Sequence, residues 1–330
     1  MKRFFLTILS FTVMLFILAS CSGQQSEKVR LAEVTRSVFY TPLYIAISEG
    51  FFKEEGIDIE LKTTWGGDKT MTALLSNGAD IALVGSETSI YVNAQGASDP
   101  VINFAQLTQT DGTFLVSRQK ADDFSWDQLK GKTFLGQRKG GMPQMAGEYA
   151  LKQKGIDPKK DLHLIQTIDF ANIANSFASG TGDYVQLFEP QASIFEKEGI
   201  GHIVASFGKE SGRIPYTTFM AKESYLKKNK ETAEKFTRAI YKAQKWVKSH
   251  SSKEAALSIQ DYFKDTDLSI IASSIERYKK QDSFALHPVL DAEEWNQLQT
   301  IMDEAGELPK HISHQELVNT QIAEKVTKNQ

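Results

Sequence analysis

Short apolar runs alternate with amphipathic segments along the chain, and this alternation constrains the fold more than any other feature of the sequence. Strands are predicted at 29–34, 57–63 and 80–84, with helices at 41–52 and 68–76 between them. Strands and helices that alternate in this way are typical of parallel sheets flanked by helices. The first part of the chain is therefore expected to form an α/β lobe.

The same alternation returns after residue 131, and a helical region follows it. The strands and helices of this second block are predicted at 132–136, 143–154, 163–168, 173–179, 184–188 and 190–198. Further strands are predicted at 202–207 and 217–221, and from 226 onward apolar residues recur at helical spacing. The segment 226–250 is expected to be one helix. The sequence therefore predicts two α/β lobes with extra helices at the C-terminus.

The N-terminal segment has the layout of a bacterial lipoprotein signal. Lys2 and Arg3 precede an apolar run that ends in Leu18-Ala19-Ser20-Cys21. This run is shorter than the ~18 residues expected of a membrane-spanning helix. We therefore expect removal of residues 1–20, acylation of Cys21 and a lipidated tether over 21–27, outside the cytoplasm on the bacterial cell membrane. An ordinary signal peptide with an incidental cysteine, or an uncleaved anchor, is the alternative.

The composition argues against several functions. Cys21 is the only cysteine, so the chain can form neither an internal disulfide nor a thiolate metal site, and no cysteine nucleophile follows it. Loss of Lys2 and Arg3 changes the formal net charge from −3 to −5, which provides no basic surface for nucleic acid. We expect no cofactor, no metal and no nucleic-acid partner.

Five short motifs occur in an order that is seen in one group of proteins. They are Pro42-Leu43-Tyr44-Ile45-Ala46, the segment 49–57, the segment 73–82, Leu129-Lys130-Gly131-Lys132 and Glu189-Pro190. Together, and behind the lipoprotein signal, they resemble the substrate-binding proteins of ATP-binding-cassette importers for sulfonates, taurine, nitrate and the thiamine pyrimidine precursor. The similarity spans residues 29–325.

This resemblance implies a type II periplasmic-binding-protein fold, in which two α/β lobes joined by a two-strand hinge close on a ligand. The first lobe would comprise 28–110 and 222–330, and the second lobe would comprise 111–221. The implied role is capture of a small molecule by a monomer, which delivers it to a membrane permease driven by ATPase subunits. A thiamine-pyrimidine synthase resembles these proteins in fold, but that enzyme depends on a cysteine-rich motif that this chain lacks.

Candidate ligand contacts lie where strands meet helices, because helix N-termini present free N–H groups there. Thr41 is expected to cap the helix that begins at Pro42, and it could also contact the ligand. The alternative for Phe39 is a core position, and for Thr41 it is a helix cap alone. The alternative for Trp65 is a packed lid residue, and for Ser86 it is a simple helix cap. The candidates in the first lobe are Phe39, Tyr40, Thr41, Trp65, Gly66, Ser86 and Glu87.

The second lobe contains a Gly-Gly turn before Pro143. In the proteins that this chain resembles, such a turn holds an anionic group through backbone N–H donors, and a basic side chain adds positive charge. Glu189 would either accept an amine of the ligand or cap the helix that follows it. The candidates are Arg138, Gly140, Gly141, Met142, Phe188 and Glu189, with Gln109 and Tyr216 beside the hinge strands.

The sequence supports two classes of solute almost equally. An aliphatic sulfonate such as taurine, the first candidate, would need the Gly-Gly turn and Arg138 to face the ligand, with Glu87 and Glu189 turned aside. A thiamine pyrimidine precursor or related heterocycle would instead need stacking by aromatic side chains such as Tyr40 and an acidic hydrogen-bond partner.

Overall fold

A computed structural model describes residues 26–328, and these residues form two lobes, each built on one five-stranded sheet. The two α/β lobes that the sequence predicts are thus confirmed. The predicted signal peptide, Cys21 and most of the predicted tether lie outside the described residues. Within the described part of the chain, no helix is both long enough and apolar enough to cross a membrane.

Ten strands form the two sheets of the described chain. They are β1 (Glu27–Glu33), β2 (Ile57–Thr63), β3 (Ile81–Gly85), β4 (Val101–Thr108), β5 (Thr113–Ser117), β6 (Thr133–Leu135), β7 (His163–Ile165), β8 (Tyr184–Phe188), β9 (His202–Ser206) and β10 (Thr217–Lys222). The first sheet has the order β2-β1-β3-β10-β4, and the second has the order β7-β6-β8-β5-β9. β1 pairs in parallel with β2 and β3, and β6 pairs in parallel with β7 and β8.

Helices cover the sheets and form the C-terminal part of residues 26–328. They are α1 (Thr41–Ser48), α2 (Phe51–Glu54), α3 (Gly67–Leu75), α4 (Glu87–Ala94), α5 (Met142–Gln153), α6 (Ile173–Ala178), α7 (Gln191–Glu198), α8 (Phe207–Ser211), α9 (Glu223–Lys228), α10 (Lys230–Ser249), α11 (Ser252–Ile259), α12 (Leu268–Lys280), α13 (Ala292–Ala305), α14 (His314–Leu317) and α15 (Thr320–Lys328). Single 3-10 turns lie at Val38–Tyr40, Trp126–Leu129, Phe170–Asn172 and Gln260–Tyr262.

Two segments that the sequence predicts as single helices are divided in the structure. The segment 41–52 breaks at Gly50, whose φ of 79° lies in the left-handed region that glycine adopts at little cost. The segment 226–250 breaks at Asn229, whose φ and ψ of −119° and 43° are not helical. The prediction of one continuous helix is therefore wrong in both places.

Two chain segments connect the lobes, which agrees with the implied two-strand hinge. One leads from β4 to β5, and the other leads from α8 back to β10. These crossings bond to each other, because Tyr216 N donates to Thr108 O at 3.1 Å and Ile214 N donates to Gln109 O at 3.0 Å. β10 belongs to the first sheet, so the return crossing precedes β10, whereas the predicted second lobe extended to residue 221.

The C-terminal helices contact both lobes, although the sequence assigned them to the first lobe alone. Helix α13 packs on α5 of the second lobe, where Gln297 Nε2 lies 3.4 Å from Tyr149 Oη. On α12, the buried Tyr278 hydroxyl donates to Gly112 O at 2.8 Å and accepts from Glu189 N at 3.0 Å. The C-terminal part of the chain thus helps to hold the two lobes together.

Gly112 in the first crossing lies against the ring of Phe39, and this contact generates a prediction. A Cβ at Gly112 would lie 2.7 Å from the Phe39 ring, which is itself enclosed by Tyr216 and Tyr278. We expect Gly112→Ala to lower the free energy of unfolding by about 1–3 kcal/mol through overpacking, measured by chemical denaturation. Gly67→Ala is the control, since its Cβ would meet Val84 at 3.5 Å. An equal effect of both substitutions would contradict this account.

Candidate functional site

A cleft of about 400 Å³ lies between the two lobes. This volume is within the range of small-molecule binding sites, roughly 300–1,000 Å³. The cleft is lined in the first lobe by segments that follow β1, β2 and β3, and in the second lobe by segments that follow β6, β7 and β8. The carboxyl ends of the parallel strands therefore face one another across it, as is common for ligand sites in α/β folds.

Nine of the fifteen candidate contacts line this cleft, and six lie outside its lining. The lining residues are Tyr40, Gly66, Glu87, Arg138, Gly140, Gly141, Met142, Phe188 and Tyr216. The other six candidates are Phe39, Thr41, Trp65, Ser86, Gln109 and Glu189. The contacts of each of these six residues show where it lies relative to the cleft.

Phe39 supports the cleft wall from behind. Its ring centroid lies 5.5 Å from that of Tyr216, 5.8 Å from that of Phe188 and 6.0 Å from that of Tyr40. These three rings line the cleft, whereas Phe39 itself is buried at 1% exposure. Edge and tilted contacts of this kind stabilise a fixed arrangement of aromatic side chains. Phe39 is therefore a packing residue that fixes the orientation of the lining rings.

Two candidates with hydroxyl side chains donate hydrogen bonds to backbone carbonyls beneath the cleft. Thr41 Oγ1 donates to Val38 O at 2.6 Å, and Tyr40 occupies the N-cap position of α1. The prediction that Thr41 caps this helix is therefore wrong. Ser86 stands at the N-cap of α4, but its hydroxyl donates to Pro215 O instead of capping the helix. This bond attaches the start of α4 to the return crossing.

Glu189 is held by its own lobe and by α12. Its carboxylate accepts hydrogen bonds from Ser193 N at 2.9 Å and from Ser193 Oγ at 2.8 Å, and Arg277 Nε lies 3.0 Å away. Of the two alternatives left open by the sequence, the contacts agree with capping of the helix that follows it. Burial raises the pKa of Glu189, and the charge of Arg277 opposes that shift.

The remaining two candidates lie at the edges of the site. Gln109 Nε2 donates to Asp282 O at 2.9 Å, and Gln109 Oε1 accepts from Arg213 at 3.0 Å, so its amide is used within the hinge region. Trp65 has 49% of its surface exposed and a φ of 59°, outside the cleft lining. A role for Trp65 in ligand contact stays a prediction.

The cleft lining also contains many residues that were not among the candidates. Tyr91, Gln137 and Phe170 are three of them. Tyr91 follows Glu87 by four residues on α4, and residues at that spacing share one face of a helix. That spacing could have identified Tyr91, because Glu87 was already a candidate. Phe170 lies in a 3-10 turn whose position the sequence pattern does not indicate.

Glu87 is the buried carboxylate of the cleft. It is 4% exposed, and its Oε1 accepts a hydrogen bond from Met142 N at 3.1 Å, across the gap between α4 and α5. Its Oε2 is buried without a hydrogen-bond partner. Burial raises the pKa of Glu87 to about 7, because an ionised carboxylate loses its solvation there. One of its oxygens thus joins the lobes, and the other has no hydrogen-bond partner among the described residues.

Gly85 makes the position of the Glu87 carboxylate possible. A Cβ at Gly85 would lie 2.1 Å from Glu87 Oε2, far inside contact distance. Any larger residue at the end of β3 would therefore displace this carboxylate. The end of β3 and the start of α4 consequently fix the Glu87 side chain against the cleft wall.

The Gly-Gly turn of the second lobe has no free N–H among its three central residues. Gly140 N donates to Gln144 Oε1 at 2.9 Å, Gly141 N donates to Arg138 O at 3.4 Å, and Met142 N donates to Glu87. Contrary to the expectation from the sequence, these donors are already used by oxygens of the chain itself. The turn therefore shapes the cleft without offering those N–H groups to an anion.

The two basic side chains that line the cleft, among the described residues, both have acidic partners. Arg138 lies 3.0 Å from Asp68 on the opposite lobe, and Lys139 lies 3.3 Å from Glu307. The Arg138 and Asp68 side chains are about half exposed, so this pair contributes little stability on its own. Its importance is geometric, because it bridges the two lobes.

A second buried acid lies beside the cleft, in the first crossing. Asp111 Oδ1 accepts from Thr113 N at 2.7 Å, and the Asp111 carboxylate and the Tyr216 hydroxyl are buried close to each other. Burial raises the pKa of Asp111 to about 6. Burial and the nearby Asp111 charge both raise the pKa of Tyr216, which keeps that hydroxyl protonated. The hinge side of the cleft is therefore acidic and holds a hydroxyl.

Comparison with known proteins identifies the family. The chain matches the NMT1-like family over residues 22–260. It belongs to this family. The Bacillus subtilis (strain 168) protein named "Putative binding protein YtlA" is 70% identical over 315 residues, which cover 95% of this chain and 94% of that protein.

Two proteins of lower sequence identity also align with most of this NMT1-like chain. The formylaminopyrimidine-binding protein of Halalkalibacterium halodurans is 23% identical over 336 residues, covering 92% of this chain and 98% of that protein. The structure of the alkanesulfonate-binding protein SsuA from Xanthomonas axonopodis pv. citri bound to MOPS aligns with a TM-score of 0.72 at 15% identity. It covers 88% of this chain and 98% of that one. The chain has the fold of periplasmic binding proteins, as the sequence resemblance implied.

The raised pKa of Glu87 predicts how stability depends on pH. Because the folded protein retains a proton on this group up to about pH 7, whereas the unfolded chain releases it near pH 4.5, Glu87 makes folding less favourable as pH rises. We expect Glu87→Gln to melt at a temperature roughly 2–6 °C above the wild type at pH 8, with little difference at pH 4.

Scanning calorimetry at the two pH values measures this difference, and Glu198→Gln, at an exposed site on α7, is the matched control. The control should show no difference that depends on pH. A Glu87→Gln difference of the same size at both pH values would contradict the assignment.

Proposed function

We propose that this chain is an extracytoplasmic solute-binding protein of an ATP-binding-cassette importer. The observation that carries the proposal is the cleft of about 400 Å³ between two lobes that are joined by two paired crossings. Its lining combines aromatic rings with a single buried carboxylate, a composition that suits a small organic molecule better than an inorganic ion. The names of the formylaminopyrimidine-binding and alkanesulfonate-binding proteins support this role.

The proposed mechanism is capture without covalent chemistry. A solute that touches both lobes binds the closed form more tightly than the open form, and this differential affinity shifts the population toward closure. The contacts that connect the lobes around the cleft include Met142 N to Glu87, Arg138 to Asp68, and Ser37 Oγ to Glu189 O at 2.7 Å. The closed form would then dock on a permease, whose ATPase subunits drive release and import.

Attachment to the membrane is part of the same proposal. Acylation of Cys21 would hold the protein, as a monomer, close to its permease on the outer face of the cell membrane. The described part of the chain begins at residue 26, shortly after Cys21 in the sequence. Glu27 of β1 accepts a hydrogen bond from Thr232 at 2.7 Å. Only a short tether would therefore separate the lipid from the first sheet.

A calorimetric titration of the full-length chain in detergent tests the binding role. The solute panel contains alkanesulfonates, taurine, nitrate, thiamine, its pyrimidine precursors and riboflavin. We expect one solute class to bind at one site per chain and to stabilise the folded state by ~2.7 kcal/mol at a hundredfold excess over its dissociation constant. Absence of binding by every member of the panel would contradict the proposed function.

A further inference from the structure

A third chain segment lies along the hinge beside the two crossings. Residues 283–288, between α12 and α13, form an antiparallel bridge with the end of β4. Ala285 N donates to Leu107 O at 3.0 Å. Gln109 N, at the start of the first crossing, donates to Ser283 O at 2.8 Å. Because β4 belongs to the first sheet, these bonds attach the segment that follows α12 to the first lobe.

The side-chain amide of Gln281 reaches from this segment to the second lobe. Gln281 directly follows α12 and is buried. Its Nε2 donates to Asp111 O at 2.9 Å, and its Oε1 accepts a hydrogen bond from Ser206 Oγ at the end of β9. A Cβ at Gly208 of α8 would overlap both Asp111 O and the Gln281 amide, so the second lobe packs directly on this side chain. These contacts therefore join the first-lobe side of the hinge to the second lobe.

Tyr278 makes a second connection from the same face of α12. It precedes Gln281 by three residues, a spacing at which two side chains share one face of a helix. Its buried hydroxyl donates to Gly112 O at 2.8 Å and accepts from Glu189 N at 3.0 Å. The neighbouring Arg277 Nε lies 3.0 Å from the Glu189 carboxylate. Each of these bonds ends on the second lobe or on the crossing that leads to it, so a rotation that separates the lobes strains them directly.

The loss of these bonds is costly because both polar groups are buried. A buried donor or acceptor that loses its partner costs more free energy than an exposed one, since water does not replace the bond. Neither Tyr278 nor Gln281 lines the cleft, so this cost does not depend on a solute. The closed arrangement is thus stabilised from the hinge side as well as by contacts across the cleft, such as Met142 N to Glu87.

We propose that Tyr278 and Gln281 form a hinge latch, which holds the second lobe against the first and sets how readily the cleft opens. Both are positioning residues, because they act on a solute only through the hinge. The inference rests on the proposed binding function, in which the closed form encloses a solute. It adds a regulatory element to that function, since a solute that binds only the closed form gains apparent affinity in proportion to the fraction of the protein in that form.

Amide hydrogen exchange of the full-length chain in detergent, without any solute, tests the latch. The first reporter is Met142 N–H, which bonds to Glu87 across the cleft and becomes exposed to water when the lobes separate. The second reporter is the N–H of Phe236, which is buried inside α10 and exchanges only when the first lobe unfolds. Comparison of the two reporters, resolved by NMR, separates opening of the cleft from loss of overall stability.

Two variants remove the polar bonds of the latch while nearly keeping the volume of the side chains. They are Gln281→Met and Tyr278→Phe. Gln299→Met is the matched control, because Gln299 is also a buried amide whose nitrogen and oxygen are both bonded. Its Nε2 donates to Ile312 O at 3.0 Å and its Oε1 accepts from Ile312 N at 2.8 Å, so both bonds stay within the C-terminal part of the chain. Tyr278→Phe removes a single oxygen, so it decides the question if Gln281→Met does not fold.

We expect Met142 N–H of the wild type to exchange roughly tenfold or more slowly relative to an unstructured amide, and faster than Phe236 N–H. Each latch variant should speed the exchange of Met142 N–H by about 5–50-fold, because the closed form loses one or two buried hydrogen bonds that the open form lacks. Gln299→Met should speed the exchange of Phe236 N–H alone, because it destabilises the open and closed forms equally.

Three results would overturn the latch. The first is a wild type whose Met142 N–H is unprotected, since the latch would then fail to hold the lobes together. The second is an exchange rate of Met142 N–H that neither latch variant changes. The third is a rate that Gln299→Met raises as much as the latch variants do, which would mean a general loss of stability. None of these results bears on binding itself, which the solute panel tests separately.

Discussion

The hydrogen bond from Met142 N–H to the Glu87 carboxylate is the interaction on which the rest of the cleft depends. It joins α4 of the first lobe to α5 of the second, and both ends are buried. The geometry is tightly constrained, because Gly85 leaves just enough room for the carboxylate. The same bond uses a helix N-terminal N–H of the cleft and leaves Glu87 Oε2 without a hydrogen-bond partner among the described residues. One side chain therefore takes part both in the contact between the lobes and in the chemistry of the cleft.

The aromatic cluster behind the cleft gives this arrangement its rigidity. Phe39 contacts the lining rings on one side and Tyr278 of α12 on the other, while Gly112 of the first crossing allows its close approach. Tyr278 in turn bonds to backbone groups of both the crossing and the second lobe. The C-terminal helices thus support the hinge directly. A packed core of this kind passes from one arrangement to another instead of deforming gradually.

The sequence predicted the order of strands and helices well, because apolar periodicity depends only on residues that are near one another in the sequence. It also predicted nine residues that line the cleft, since strand-to-helix junctions locate such residues in α/β folds. Helix breaks at Gly50 and Asn229 were missed, because single backbone angles hardly change the periodic pattern.

The chemistry of the Gly-Gly turn could not be read from the sequence, because its partners are distant in the chain. Glu87 lies 55 positions before Met142, and Asp68 approaches Arg138 from the other lobe. Glu189 was ambiguous for the same reason, since Arg277 reaches it from α12. Local patterns show which groups are present, but only the fold shows which of them are already bonded.

A crystal structure of the protein with its bound solute is the most direct measurement of the central claim. We expect the solute to lie between the lobes in contact with residues of both, with Met142 N–H still bonded to Glu87 Oε1. A complex in which an acidic oxygen of the ligand accepts from Met142 N–H, with Glu87 turned away, would contradict the account.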